Sequence, residues 1–265
     1  MNRRKRLVLL TPLLLLALLM GILGWLTWWE VRHERLNQQL IAAIKREDTS
    51  AALATLEQGA DANASDEKQT MPVWNIFWNG LRGKHPATST APTALLWIME
   101  DEHAGSSWMN LPLIKALLAQ GARVNVQDAK GCTPLFYACW DRKNATARLL
   151  IAQGARVKAS EDRRDIPLAD AVAYRVDADI VESMLQRGAN PNVADPRDAP
   201  PLGWAVVLGK VQNIRILLRY HANPNVQLHF VGWTGTPLSY AEEYATSDPG
   251  MRQIAQMLKA AGAKK

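Results

Sequence analysis

Two cysteines and five histidines bound the nucleophilic and metal-binding chemistry open to this 265-residue chain. Cys132 and Cys139 would be the thiolates, and His33, His85, His103, His221 and His229 the bases or ligands. If the stretch from Pro134 is helical, the cysteines stand on the order of 10 Å apart, too far for a disulfide. They form no zinc pattern, and no histidines fall in an H-E-x-x-H spacing. Glu100-Asp101-Glu102 pairs carboxylates as acid–base catalysis requires, but the run reads as a polar helix end. A nucleophile elbow, a phosphate loop and a dinucleotide fingerprint are all absent from the sequence. The residues therefore predict no catalytic site, no cofactor, no metal and no small-molecule substrate.

The elements that would position any site repeat themselves. Gly-Ala closes a similar phrase at Gly59-Ala60, Gly121-Ala122, Gly154-Ala155, Gly188-Ala189 and Gly262-Ala263, and His221-Ala222 is a copy without the glycine. The intervals are 62, 33, 34, 33 and 41 residues. A period near 33 in register marks a stack of supersecondary units, none of which can bury its apolar face alone. In the best copy, Thr133-Pro134-Leu135 opens a helix, with proline in the first turn where its missing N–H costs nothing. Ala138-Cys139 are small enough for a neighbouring helix to approach. Leu150-Ile151 face inward on a second helix, which Gly154 ends in a left-handed cap. Ile166-Pro167-Leu168, Pro201-Leu202 and Thr236-Pro237-Leu238 repeat the phrase, and Leu36, Leu40, Ile41 and Ile44 begin a degenerate first copy.

These motifs resemble the ankyrin repeat, strongly over residues 121–225 and less at the ends. The resemblance implies an all-α solenoid of about six helix-turn-helix repeats across 36–265, at about 36–64, 65–125 with an insertion, 126–158, 159–192, 193–225 and 226–265. The family's histidine after Thr-Pro-Leu is missing. Phe136, Ala169, Gly203 and Ser239 stand there, so its inter-repeat hydrogen bonds must be replaced or lost. The turn glycine survives at Gly131, whereas Arg164 and Asp198 take its place later, which predicts less regular turns.

Ahead of the repeats, a basic tail at residues 1–6 precedes 23 uncharged residues, Leu7 to Trp29. A helix of that length spans roughly 35 Å, enough for a bilayer core of about 30 Å. A cleaved signal peptide is the competing reading, but the apolar core is long and ends in bulky Trp25, Trp28 and Trp29 rather than a small-residue cleavage site. Residues 7–29 are thus expected to be an uncleaved transmembrane signal anchor in the lipid bilayer. The basic tail would keep the N-terminus cytoplasmic, although Arg32, Arg35, Lys45 and Arg46 weaken that bias. The repeats would then be periplasmic, on a bacterial inner membrane. The chain is formally +6, but four basic charges sit in the first six residues and the rest holds 27 basic against 25 acidic side chains. That balance gives no support to nucleic-acid binding.

The resemblance also implies a protein partner, held on the concave face and turn tips. By the family pattern that face holds Trp140-Asp141, Ala173-Tyr174, Val207-Leu208 and Glu243-Tyr244, so Trp140, Tyr174, Leu208 and Tyr244 would line it. The alternative is that this stripe is inter-repeat core. Arg163 and Arg197 would add a small basic area, or be solvated turn charges. A second row, Trp97, Tyr137, Trp204 and Tyr240, is expected to be core. About 22 extra residues enter the first turn, with Trp74, Phe77 and Trp78 either capping the stack or meeting the partner. A shorter insertion carries His229, Phe230 and Trp233, and Asp248-Pro249-Gly250 lengthens the last inter-helix loop. Such a chain could be an immunity protein against a secreted toxin such as a lipase effector, or a regulator or scaffold of an envelope enzyme.

Overall fold

A computed structural model of the chain describes residues 3–66, 92–99, 110–158, 167–195, 197–230 and 233–264, without the side chains of 3–17 and 230. It divides into two compact units, Met1–Ala94 and Leu95–Lys265.

The first unit holds α1 (Arg3–Lys45) and α2 (Thr49–Glu57), which pack together. The expected apolar face is buried at Leu36, Leu40, Ile41 and Ile44. Asp48 caps α2 by accepting from the Ala51 N–H at 3.0 Å. Further up α1, Leu18, Leu19, Met20, Ile22, Leu23, Trp25, Trp28, Trp29 and Val31 are all exposed. Among the described residues no helix is long and apolar enough to cross a membrane. The first half of the predicted span, through residue 17, lies outside the described side chains. Ser65 pairs antiparallel with Thr93, and the Ala94 N–H donates to the Ala64 carbonyl at 2.8 Å. The insertion thus leaves and re-enters the chain at one point.

In the second unit come α3 (Ala94–Met99), α4 (Leu111–Ala119), α5 (Pro134–Trp140), α6 (Asn144–Ala152), α7 (Pro167–Ala173), α8 (Ala178–Gln186), α9 (Pro201–Val207), α10 (Val211–Arg219), β1 (Leu228–Phe230), β2 (Trp233–Gly235), α11 (Pro237–Tyr244) and α12 (Pro249–Ala260). The helices form two layers. Helices α5, α7, α9 and α11 neighbour one another in order, and α4, α6, α8, α10 and α12 form the second row. Leu135, Ala138, Cys139 and Leu150 are fully buried between the layers, where a leucine contributes about 1.5–3 kcal/mol.

The Gly-Ala phrase has a local cause. After α6, Gly154 adopts φ 87°, its N–H donates to the Ile151 carbonyl at 3.1 Å, and the Ala155 N–H reaches back to Leu150 at 2.9 Å. This pairing satisfies two carbonyls the helix end leaves open. Gly59-Ala60, Gly121-Ala122, Gly188-Ala189 and Gly262-Ala263 repeat it, and so does His221-Ala222, with His221 at φ 63°. The lost glycine therefore changes the strain but not the geometry.

Asparagines four residues past the helix-ending Gly121, Gly188 and His221 link neighbouring repeats. Asn125 accepts from the Arg156 N–H at 2.6 Å and donates to the Gly154 carbonyl at 3.2 Å. Asn192 does the same to the Asn223 N–H and the His221 carbonyl, and Asn225 to the Lys264 N–H and the Gly262 carbonyl. Each clamp ties one unit's turn to the next unit's helix end.

Three expectations need correction. The fold is not purely helical, because β1 and β2 pair antiparallel as a short hairpin in register Leu228–Gly235. The turn at Asp198 is not less regular: Asp198 takes φ 59° and the hydrogen bonds of residues 195–199 copy those of 128–132. The corresponding turn with Arg164 lies outside the described residues. Pro249 and Gly250 do not lengthen a loop but form the first turn of α12, capped by Asp248, which accepts from the Gly250 N–H at 2.7 Å.

Candidate functional site

The four positions predicted to face a partner lie at or just past the C-terminal ends of α5, α7, α9 and α11. Trp140 ends α5 and is 54% exposed. Its ring lies 4.8 Å from that of Tyr174, which follows α7 in the next unit and is half-buried. Phe136, one turn back on α5, stands 5.7 Å from Trp140 and 6.2 Å edge-on from Tyr174. The result is an aromatic platform across two neighbouring units, open to solvent at Trp140. Asp141 caps α5 and is half-buried beside it.

Arg197 joins this platform from the following unit. Burial raises the Tyr174 phenol above its usual value, the Asp170 carboxylate adds to that, and the Arg197 guanidinium pulls the other way. Arg197 in turn lies over the Trp204 ring at 4.7 Å and pairs with Asp195 at 3.0 Å. Asp195 is 1% exposed and also accepts from the backbone N–H groups of Arg197 and Ala199, both at 2.9 Å.

The sequence led us to expect the second aromatic row to be core, and the structure does not bury it fully. Trp97, Tyr137, Trp204 and Tyr240 are half-buried. Two of them hold turns in place: the Tyr137 hydroxyl donates to Asp128 at 2.6 Å, and the Trp204 indole N–H donates to Asp195 at 3.1 Å. A packing leucine, the family's residue there, could do neither.

Tyr244 belongs to a second group. It is 41% exposed and lies 4.7 Å from Tyr240, whose ring meets Trp233 of the hairpin edge-on at 5.0 Å. The Trp233 indole donates to Glu243 at 2.7 Å. Leu208 is half-buried at the same repeat position between the two groups in sequence. Phe136 and Trp233 are the members sequence reasoning missed; both are aromatic departures beside a helix start. Arg163, Trp74, Phe77 and Trp78 lie outside the described residues. Both cysteines are free thiols. Among the described residues no cluster of three or more His, Cys, Asp or Glu side chains could hold a metal ion.

Comparison with known proteins agrees with this architecture. Residues 102–195 match a family model described as Ankyrin repeats (3 copies). A solved structure, an ankyrin repeat domain from Acinetobacter baumannii AYE, is similar at 25% identity with a TM-score of 0.60. The similarity covers 85% of this chain and 98% of that one. Nothing among the curated proteins matches the sequence.

Proposed function

On the premise that this chain belongs to the ankyrin-repeat family, we propose that it is a membrane-anchored, non-enzymatic module that binds a protein through the aromatic platform of Trp140, Tyr174 and Phe136. The observation that carries the reading is the Trp140–Tyr174 ring contact, made across two units while Trp140 stays exposed. Large aromatic side chains that lose little freedom on binding are the usual anchors of interfaces. Arg197 supplies a cation at the edge of the platform. The exposed residues from Leu18 to Val31 support the anchor, since a row of apolar side chains that no protein covers calls for lipid or a partner. The basic tail favours a cytoplasmic N-terminus, and on this reading the roughly six repeats lie on the far side, periplasmic in a bacterial inner membrane. Confinement to the membrane would raise the effective concentration at a membrane-bound target.

The test is crosslinking in cells, with a photoreactive residue at Trp140 and a control at Arg215 on the exposed face of α10. A specific adduct at position 140, lost in Tyr174→Ala, is expected. Equal adducts at both positions would show that the platform is not the binding surface.

A further inference from the structure

At the far end of the expected anchor, helix α1 gathers arginines and tryptophans on one face. Helix α1 runs unbroken from Arg3 to Lys45, so the expected anchor and the helix that packs on α2 are one rigid rod with no linker. The apolar run ends at Trp29. At 1.5 Å per residue, Arg32 and Arg35 stand roughly 4.5 and 9 Å beyond it along the axis. Headgroups occupy about 5–8 Å on each side of the hydrocarbon core, so both arginines fall at or just past phosphate level, within reach of side chains that extend back along the helix.

Helical spacing puts Trp25, Trp28, Trp29, Arg32 and Arg35 on one face and Glu30 and Glu34 on the opposite one. Trp25, Trp28 and Trp29 are exposed, and so are Arg32 and Arg35. The Arg32 guanidinium lies 5.5 Å from the centre of the Trp28 ring, and Glu34 accepts from Gln38 at 2.9 Å. The stripe thus presents two cations, three indoles and no acid.

We propose that this stripe binds the phosphates of anionic phospholipid headgroups, with the indoles at the interface and the guanidinium groups as phosphate ligands. The proposal rests on the membrane-anchor reading. Because the rod is continuous, the same contacts would hold the first repeat unit at a fixed height above the bilayer.

The full chain is reconstituted in nanodiscs of phosphatidylcholine with 30% phosphatidylglycerol (roughly one lipid in three, as in an anionic surface), and the retained lipids are counted by native mass spectrometry. Wild type should retain phosphatidylglycerol above its bulk share. The variant Arg32→Gln/Arg35→Gln should lose about fivefold in enrichment per arginine, roughly 1 kcal/mol each. Arg32→Lys/Arg35→Lys should keep most of it, and Arg219→Gln should change nothing. Unchanged enrichment in the glutamine variant overturns the proposal, as does a phosphatidylglycerol preference lost to millimolar inorganic phosphate. So does a stripe that crosslinks to protein instead of lipid. Alkaline carbonate extraction separates the two readings: release of the wild-type chain would sink the anchor itself, whereas a retained chain without lipid preference sinks only this inference.

Discussion

Trp204 donates its indole N–H to the carboxylate of Asp195, 3.1 Å away and nine residues earlier in the chain. The same offset joins Tyr137 to Asp128. In both turns an aromatic side chain on the first helix closes off a carboxylate that already accepts backbone N–H groups. Replacing Asp195 by alanine would strand those donors in a site that is 1% exposed. The expected loss is about 3 kcal/mol of unfolding free energy, read by denaturant titration of the full chain. Asp128→Ala should cost less, because no arginine pair is lost there. Equal stability of Asp195→Ala and wild type would show that the turn carries no energy.

Asn192 spans two units, accepting from the Asn223 N–H and donating to the His221 carbonyl. It is exposed, so its net worth is modest. Asn192→Ala should destabilise by about 1 kcal/mol. In a quasi-one-dimensional stack it should also reduce the coupling between neighbours. A lower denaturant m-value, or a second transition, is the sign to look for.

Much of this was legible because its causes are local. A glycine in a left-handed cap with an alanine behind it marks the end of a repeat's second helix without reference to the rest of the fold, so the period at Gly154 and Gly188 could be read directly. His221 shows the limit: the neighbouring hydrogen bonds impose the conformation even where the residue type argues against it. Asp198 misled for the same reason. The hairpin escaped notice because its strands are three residues each, too short for an alternating pattern. Trp204 and Tyr137 looked like core because the resembled family has a packing leucine there; their donors matter only once a carboxylate nine residues earlier is seen to be buried or tied. The Trp140–Tyr174 pair was legible from repeat position alone. The link from Tyr174 through Arg197 to Asp195 was not, since it depends on side-chain reach between units.

Gly203 stands where the family has histidine, and the reason is close approach rather than backbone freedom. A Cβ there would come within 2.5 Å of Leu228 Cδ2 and 3.5 Å of Pro200 Cδ. Leu228 is fully buried and begins the hairpin. Gly203→Ala should therefore cost about 1–3 kcal/mol by overpacking. Gly203→Ala combined with Leu228→Ala should recover part of that loss if the clash is the cause.

Arg175 follows Tyr174 and sits at φ 65°, in the left-handed region that costs a side-chain-bearing residue energy. Glycine removes that cost but loosens the unfolded chain, so Arg175→Gly should be stabilising by a few tenths to about 1 kcal/mol. The platform should keep its partner, because the backbone that carries Tyr174 is unchanged. A melting temperature below wild type would mean that the arginine side chain contributes more than its backbone conformation costs.

Arg148 on α6 reaches across to α8, pairing with Asp179 at 2.7 Å and with Asp177, just before α8, at 2.6 Å. The Arg148 hydrogen bond holds the Asp179 carboxyl below its ordinary value of 3.8. A carboxyl lowered in the folded state adds stability above its unfolded pKa and loses it as pH falls through the folded value. All three side chains are about half exposed, so solvent screening limits the contribution to about 0.5–1 kcal/mol. Arg148→Ala should be less stable than wild type by that amount at pH 7. The gap should close as the pH drops below about 4, and at pH 7 it should also shrink in about 1 M salt. A difference that persists unchanged in acid and in salt would assign the loss to the packing of the arginine's aliphatic stem instead of its charge.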